Sequence, residues 1–472
     1  MDVIRQDLIL IDGAWVPSSG TGVIEVENPV TEEIIGTIPE GTPEDVDRAV
    51  AAAARAFDGW SRSTLTERAE VLRNLAGFVE ERADEITEAI VREIGEPLSI
   101  ATGHQTRSTI SHLRSTAEAL HEVDWDVRVG DTLVHRAPVG VVGAITPWNV
   151  PLLMIAMKVG AAIAAGCTVV LKGTEIAPRS SFFFAEGTQK AGLPAGVVNL
   201  VSGTGPVVGE AIAGHRLVDM VSITGSVRAG SRVMEIASRA VKRVGLELGG
   251  KSANVILEDA DVAKAVTAGI ADAFRNSGQV CGGLTRVLVP RERLAEAEAA
   301  ARTAAESYLL GDPFAAETTL GPVVTRAQRD RVRELIQSGI DQGATLVTGG
   351  PEQPEGLDVG YYVKPTVLRG TPDMRIAREE IFGPVVTILP YDTEEEAIAI
   401  ANDSDYGLAG GVWAASAERA REVALRLRTG RIRINGSAVN PRAPHGGFKL
   451  SGIGRENGRF GIEEFLEYQS IG

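Results

Sequence analysis

Apolar and polar positions follow two different rhythms along the 472-residue chain. The N-terminal part shows short strand signals separated by turns, from Leu8-Ile-Leu-Ile11 to Ile34-Ile-Gly36. Two helical patterns follow. Thr42-Pro43-Glu44-Asp45 supplies a capping hydroxyl, a proline in the first turn and acids at the positive end of the helix dipole. Its Ala-rich run continues to Phe57. Thr64-x-x-Glu67 is a capping box, and its helix is predicted to reach a stop at Gly95. From Gly140 apolar runs alternate with helical stretches. Strands are predicted over 139–145, 168–172, 197–201, 218–224 and 244–248, with helices over 151–165, after Gly205 and after Ser226. Strands this continuously apolar mark a parallel sheet covered on both faces. Ligands in such sheets bind beyond the C-terminal strand ends. A second α/β series begins near 252–257, with helices predicted around 294–309 and 327–342 and strands at 385–389 and 431–435. Residues 349–356, rich in Gly and Pro, read as a surface loop.

Composition narrows the class. Hydrophobic content of 44% and charged content of 23% are those of a soluble globular chain, and the length suits roughly three domains or lobes. A net charge of −16 argues against nucleic acid or an anionic membrane as partner, because both need a basic footprint. The uncharged stretch 137–157 is long enough to span a bilayer. Pro138, Pro147, Asn149 and Pro151 interrupt it, so it reads as a buried strand, a loop and a helix start. Two cysteines build no disulfide framework, and the first eight residues lack the basic start and apolar core of a signal peptide. The expected compartment is the cytoplasm. Six scattered histidines show no metal-ligand spacing, so no metal is expected.

Several side chains carry chemistry. Cys281 closes Phe274-Arg-Asn-Ser-Gly-Gln-Val-Cys281 and is surrounded by Gly278, Gly282 and Gly283, which lets backbone amides approach whatever the sulfur attacks. Cys167 lies in an apolar run and reads as a buried small hydrophobe. Glu247 stands between two leucines before a glycine pair; burial there would raise its pKa toward the range of a general base, whereas a strand-end Glu turned to solvent would have no such role. Asn149, between Pro147 and Pro151, is either an oxyanion donor or a turn residue. Lys172 and Glu175 close a predicted strand, placed for ribose hydroxyls or paired as surface ions. Gly203-Thr-Gly205-Pro-Val-Val-Gly209 has one residue too many for a dinucleotide fingerprint. Thr224-Gly225-Ser226 offers amides and a hydroxyl at a strand-to-helix junction.

In order along nearly the whole chain, Pro147-Trp-Asn149, Lys172-Gly-Thr-Glu175, Thr224-Gly-Ser226, Leu246-Glu-Leu-Gly-Gly-Lys251, Phe274-x-x-x-Gly-Gln-x-Cys281, Glu380-Ile-Phe382-Gly-Pro384 and Phe448-Lys-Leu-Ser-Gly-Ile-Gly-Arg-Glu456 resemble the aldehyde dehydrogenase superfamily. The resemblance implies an α/β fold with two doubly wound domains, a Rossmann-like cofactor domain and a catalytic domain, plus a small β element that pairs subunits. Mapped onto this chain, the cofactor domain covers 1–119 and 139–249, the bridging element 120–138 and 456–472, and the catalytic domain 250–455. It also implies a homodimer or homotetramer.

The implied chemistry is oxidation of an aldehyde to its acid. Cys281 attacks the carbonyl, and Asn149 with the Cys281 N–H holds the oxyanion. Hydride passes to the nicotinamide, and water activated by Glu247 hydrolyses the thioester. Lys158 and Glu456 match proton-relay positions. Ile145, Trp148, Lys172, Glu175, Gly205, Gly209, Thr224, Gly225, Ser226, Leu248, Glu380 and Phe382 match cofactor contacts. Glu175 favours NAD, because a carboxylate repels a 2′-phosphate, while Thr174 keeps NADP possible. Gly173 stands in place of the usual Pro. Val150, Met154, Met157, Arg275, Val280 and His445 match the substrate channel. Val150, Met157, Arg275 and His445 replace residues often aromatic in relatives, so the channel is expected to be wider and to admit bulky aliphatic or polar aldehydes, or else Arg275 points into a salt bridge away from it. Two rival readings are a CoA-acylating relative, which typically lacks the base at Glu247, and a non-catalytic NAD-binding scaffold.

Overall fold

The computed structural model describes residues 4–472; residues 1–3, which open the expected cofactor domain, lie outside the described residues. The fold is α/β with two doubly wound sheets and smaller antiparallel ones. The first large sheet has a parallel centre made of Val141–Ile145, Thr168–Lys172, Val198–Leu200, Met220–Thr224 and Arg243–Glu247. Numbered in chain order, these strands lie 3-2-1-4-5. The winding direction therefore reverses between Val141–Ile145 and Met220–Thr224, which opens a crevice at their C-terminal ends. Antiparallel strands close both edges, Gly452–Ile453 beside Glu247 and the hairpin Leu8–Ile11 with Ala14–Pro17 at the other side.

Both faces of this sheet are buried. Val142, Ala144, Val169 and Leu171 point into one core, and Val141, Ile145, Val170 and Val221 into the other. Each Val, Leu or Ile among them contributes about 1.5–3 kcal/mol by leaving water, which is why these strands are apolar at successive positions.

The second sheet contains Ala253–Ile256, Arg286–Pro290, Thr366–Arg369, Val385–Tyr391, Ala409–Trp413 and Arg431–Ile434 in parallel, with Thr345–Thr348 antiparallel at one edge. It too separates two cores. The two sheets join through Leu248-Gly-Gly-Lys-Ser252, which leads from the C-terminal end of one sheet to the N-terminal end of the other. A third sheet pairs Asp126–Val129, Thr132–Pro138 and the tail strand Leu466–Ile471. Val127, Val129, Tyr468 and Ile471 are exposed on it. No helix among the described residues is long and apolar enough to cross a membrane.

The structure departs from the pattern in instructive places. The helix expected over 64–95 is two helices, Leu65–Glu81 and Ala83–Ile94. Arg82 breaks it with ψ 19° while its guanidinium pairs with Glu85 and Glu186 and covers the rings of Phe78 and Phe183. The helix over 151–165 widens to π geometry over Ala156–Gly160, the turn that carries Lys158. Strands Arg286–Pro290 and Ala409–Trp413 escaped the reading. One opens on a charge, and the other is rich in glycine. Arg286 is nevertheless buried, donating to the carbonyls of Lys251, Ile400 and Ala401 at 2.8–2.9 Å.

Candidate active site

The crevice of the first sheet faces the linker Leu248–Ser252 and the N-terminal ends of the second sheet. Glu247 is the last residue of its strand, in register with Thr224 on one side and Gly452 on the other. It is 5% exposed, and neither carboxylate oxygen has a hydrogen-bond partner. Burial raises its pKa well above the usual carboxylate range; Glu456 adds to the rise, and Lys158 and Arg455 oppose it. The neighbouring loop leaves room for it only because Gly446, at φ +153°, has no side chain: a Cβ there would stand 2.7 Å from Glu247 Oε1. His445 Nε2 lies 3.6 Å from Glu247 Oε2. Burial pushes the His445 pKa down to about 4, so the ring is neutral at pH 7.

Asn149 leaves the sheet on the loop after Ile145. Its Nδ2 donates to the Gln279 carbonyl at 2.9 Å. Its own carbonyl accepts from Gln105 Nε2 at 3.1 Å and Asn276 Nδ2 at 2.9 Å. The loop is thus tied to the segment carrying Cys281, and the second amide N–H of Asn149 stays available. Asn276, Ser277 and Gly278 are all left-handed, with φ 49°, 54° and 74°. Ser277 Oγ pins this turn by donating to the Gly321 carbonyl at 2.8 Å. Such a turn stores strain that the surrounding hydrogen bonds hold in place. Cys281 follows, partly exposed and unpaired. Burial pushes its thiol up to about 12, with Glu380 and Glu247 adding to the rise and Arg431 opposing it. Cys167, by contrast, is fully buried in the first core.

Lys158 is 1% exposed and donates to Glu456 Oε1 at 2.7 Å and to Ser222 Oγ at 3.1 Å. Glu456 exchanges both backbone hydrogen bonds with His445, at 2.7 and 2.8 Å, which ties this pair to the loop beside Glu247.

The expected cofactor contacts surround the crevice. Lys172 Nζ meets Glu175 Oε2 at 2.5 Å. Ile145 lies beneath Gly209, within 3.7 Å of where its Cβ would be, and Gly205 faces open space. Both glycines sit in the widened turn Gly205–Gly209 ahead of the helix Glu210–Gly214. The amide of Gly225 is not free as expected: it donates to the Glu247 carbonyl at 3.0 Å. Ser226 caps the helix Val227–Ser238 by accepting from Ala229 N–H at 3.2 Å, which leaves its hydroxyl one donor and one lone pair to offer. Thr224 Oγ1 and Thr146 Oγ1 are buried at the strand ends without partners. Leu248 packs across Gly230. Glu380 accepts from Gly250 N–H at 3.0 Å, and burial pushes its pKa up to about 7. Trp148 meets Phe382 edge-on, with ring centroids 5.4 Å apart at 88°. Phe382 has φ +57°, a bulky residue in a left-handed conformation, held by Gln328 Nε2 donating to the Ile381 and Phe382 carbonyls. A sheet reversal, orphaned hydroxyls on its strand ends and carboxylates at Glu175 and Glu380 fit a dinucleotide.

Of the expected channel residues, Val150 and Met157 are buried, while Met154 and Val280 are partly exposed. Arg275 Nη2 approaches Asp272 only to 3.9 Å. Arg431, beside Cys281, was not anticipated. The signal was present in Arg431-Ile-Arg-Ile434, whose period-two pattern puts both arginines on one face of a strand. Among the described residues no group of His, Cys, Asp and Glu is arranged to hold a metal ion.

Comparison with known proteins agrees with this arrangement. The sequence model of the aldehyde dehydrogenase family matches residues 15–471. A 3-succinoylsemialdehyde-pyridine dehydrogenase of a Pseudomonas species is 49% identical over 463 residues, covering 98% of this chain and 97% of the relative. A crystal structure of mutant aldehyde dehydrogenase C from Pseudomonas syringae, in complex with NAD+ and octanal, superposes with TM-score 0.97 at 48% identity, covering 98% of this chain and 96% of that one. A Mycobacterium tuberculosis aldehyde dehydrogenase in complex with NAD+ matches with TM-score 0.97 at 41% identity, covering 100% of this chain and 98% of that one.

Proposed function

The chain belongs to the aldehyde dehydrogenase family, NAD-dependent oxidoreductases of aldehydes, and we propose that it converts an aldehyde to the carboxylic acid through a covalent thioester on Cys281. The observation that carries this reading is Glu247. A buried carboxylate without a hydrogen-bond partner, close to a thiol, is a base held ready for water.

Cys281 gives up its proton to water, its sulfur bonds to the aldehyde carbon, and the carbonyl π pair moves onto the oxygen. The free N–H of the Asn149 amide and the Cys281 backbone N–H hold the oxyanion. A bound NAD would supply the acceptor for the hydride that leaves this carbon. The acyl group remains on sulfur as a thioester. Glu247 takes a proton from water, the hydroxide attacks the thioester, and the acid leaves as sulfur regains its negative charge. Lys158 and Glu456 carry the proton away from Glu247. Lys172 and Glu175 would hold the adenosine ribose, where the carboxylate would favour a free 2′-hydroxyl over a 2′-phosphate and so NAD over NADP. Glu380 would hold the nicotinamide ribose, and Trp148 and Phe382 would border the ring. Ile145, Gly205, Gly209, Thr224, Gly225, Ser226 and Leu248 shape the rest of the cradle.

We assign the cofactor domain to 1–119 and 139–249, the catalytic domain to 250–455 and the bridging element to 120–138 and 456–472. Assembly as a homodimer or homotetramer through the third sheet, and a cytoplasmic location, complete the proposal. The exposed Val129 and Tyr468 on an open-edged sheet support the first, and two unpaired cysteines the second.

An aldehyde panel with NAD and with NADP tests the reading. Wild type forms reduced cofactor, Cys281→Ala forms none, and Glu247→Gln gives one burst of reduced cofactor followed by little turnover. Coenzyme A replacing water as the faster acyl acceptor would overturn the hydrolytic step.

A further inference from the structure

The strand Arg431–Ile434 is the open edge of the second sheet. Its alternation sends Arg431 and Arg433 to the same face, and that face borders Cys281. A side chain on Gly282 would begin 3.0 Å from Arg431 Nη2. Arg275, Arg433 and one carboxylate, Asp272, complete the cluster.

Asp272 is already engaged. It accepts from Arg433 Nη2 at 2.6 Å and from Leu284 N–H at 3.1 Å, and is only 8% exposed. Arg275 reaches it only at 3.9 Å, and Arg275 Nε is buried without a partner. Arg431 makes no side-chain hydrogen bond or ion pair among the described residues, and its Nε is likewise buried and unpartnered. Arg433 thus holds the one carboxylate of the cluster, Arg275, 39% exposed, only approaches it, and Arg431 has no paired anion, in a chain whose overall charge is −16. A partly buried guanidinium without an anion is poorly compensated, and a carboxylate matches its planar fork. The sulfur does not serve as that anion at rest, because burial keeps the Cys281 thiol protonated.

We infer that Arg431, assisted by Arg275, is a carboxylate-binding subsite in the aldehyde channel, and that the preferred substrate class is a semialdehyde bearing a carboxylate at its far end. The inference rests on the proposed aldehyde oxidation and adds its substrate class.

The test compares kcat/KM for 4-oxobutanoate and butanal, equal chains that differ in the terminal carboxylate. In wild type the acid is favoured by about 10- to 100-fold, the range of a charge-assisted hydrogen bond. Arg431→Met brings the ratio close to one, mainly through KM, and Arg431→Lys keeps part of it. Should Arg431→Met fail to fold, Arg275→Met lowers the same ratio several-fold. A readout independent of turnover is calorimetric titration of succinate into Cys281→Ala, where binding is expected and is lost when Arg431→Met is added. If Arg431→Met lowers both substrates equally, shifts the pH profile upward and succinate does not bind, Arg431 serves the thiolate and the subsite is overturned. If wild type oxidises neither aldehyde yet succinate binds through Arg431, the oxidation reading fails and the subsite stands.

Discussion

Cys281 and Glu247 both carry pKa values raised by burial, and this fixes the sign of the pH dependence. Each must lose a proton to act, so both steps quicken as pH rises. The thiol is pushed up to about 12 and Glu247 lies well above the usual carboxylate range. kcat/KM should therefore climb from pH 6 toward pH 9 without a plateau near neutrality, as a stopped-flow pH series would reveal. A flat profile over that interval would contradict the burial of these groups. Asn149→Ala removes a neutral donor at the oxyanion and should lower kcat by about 10²–10³. Cys281, Glu247 and Asn149 stood out in the sequence as candidates, a thiol among glycines, an acid among leucines and an amide between prolines, but their roles came from the ordered family motifs. Arg431 did not, since a strand arginine is ordinary until its neighbours from distant segments are known.

At the level of elements, the loop beside Glu247 leaves no room for a side chain at Gly446. Gly446→Ala would place a methyl against Glu247 Oε1 and the Gly454 carbonyl, at 2.7 and 2.6 Å, and would strain a left-handed backbone. Steady-state turnover should fall by about 100-fold or more while a first burst of reduced cofactor survives, because Cys281 is untouched. The buried pair of Lys158 and Glu456 predicts a stability effect. Glu456→Ala leaves an ammonium buried without its partner and should cost about 3–5 kcal/mol, read as a lowered Tm. Strand positions in the first sheet were readable from apolar runs. The breaks at Arg82 and Ala156–Gly160 were not, because side-chain ties to other segments and a change of helical pitch leave no period in the sequence.

For the whole molecule, two α/β series followed from the alternation of strands and helices, while their doubly wound order was implied by the family resemblance. The third sheet was outlined by the family resemblance rather than by pattern, since Asp126–Val129 is exposed at every position. Replacing Val129 and Tyr468 by Asp should shift the chain to a smaller species by light scattering, with secondary structure retained.

Gly452–Ile453 lies against Glu247, and the same stretch of chain passes Glu456 and ends in the tail strand Leu466–Ile471. The tail is therefore a tether to the base but not to the thiol, which rides on the other sheet. If the third sheet joins subunits as proposed, dilution that separates them should slacken hydrolysis before it slackens acylation. A very dilute sample would then stall as acyl-enzyme, and its lost turnover would return on concentration.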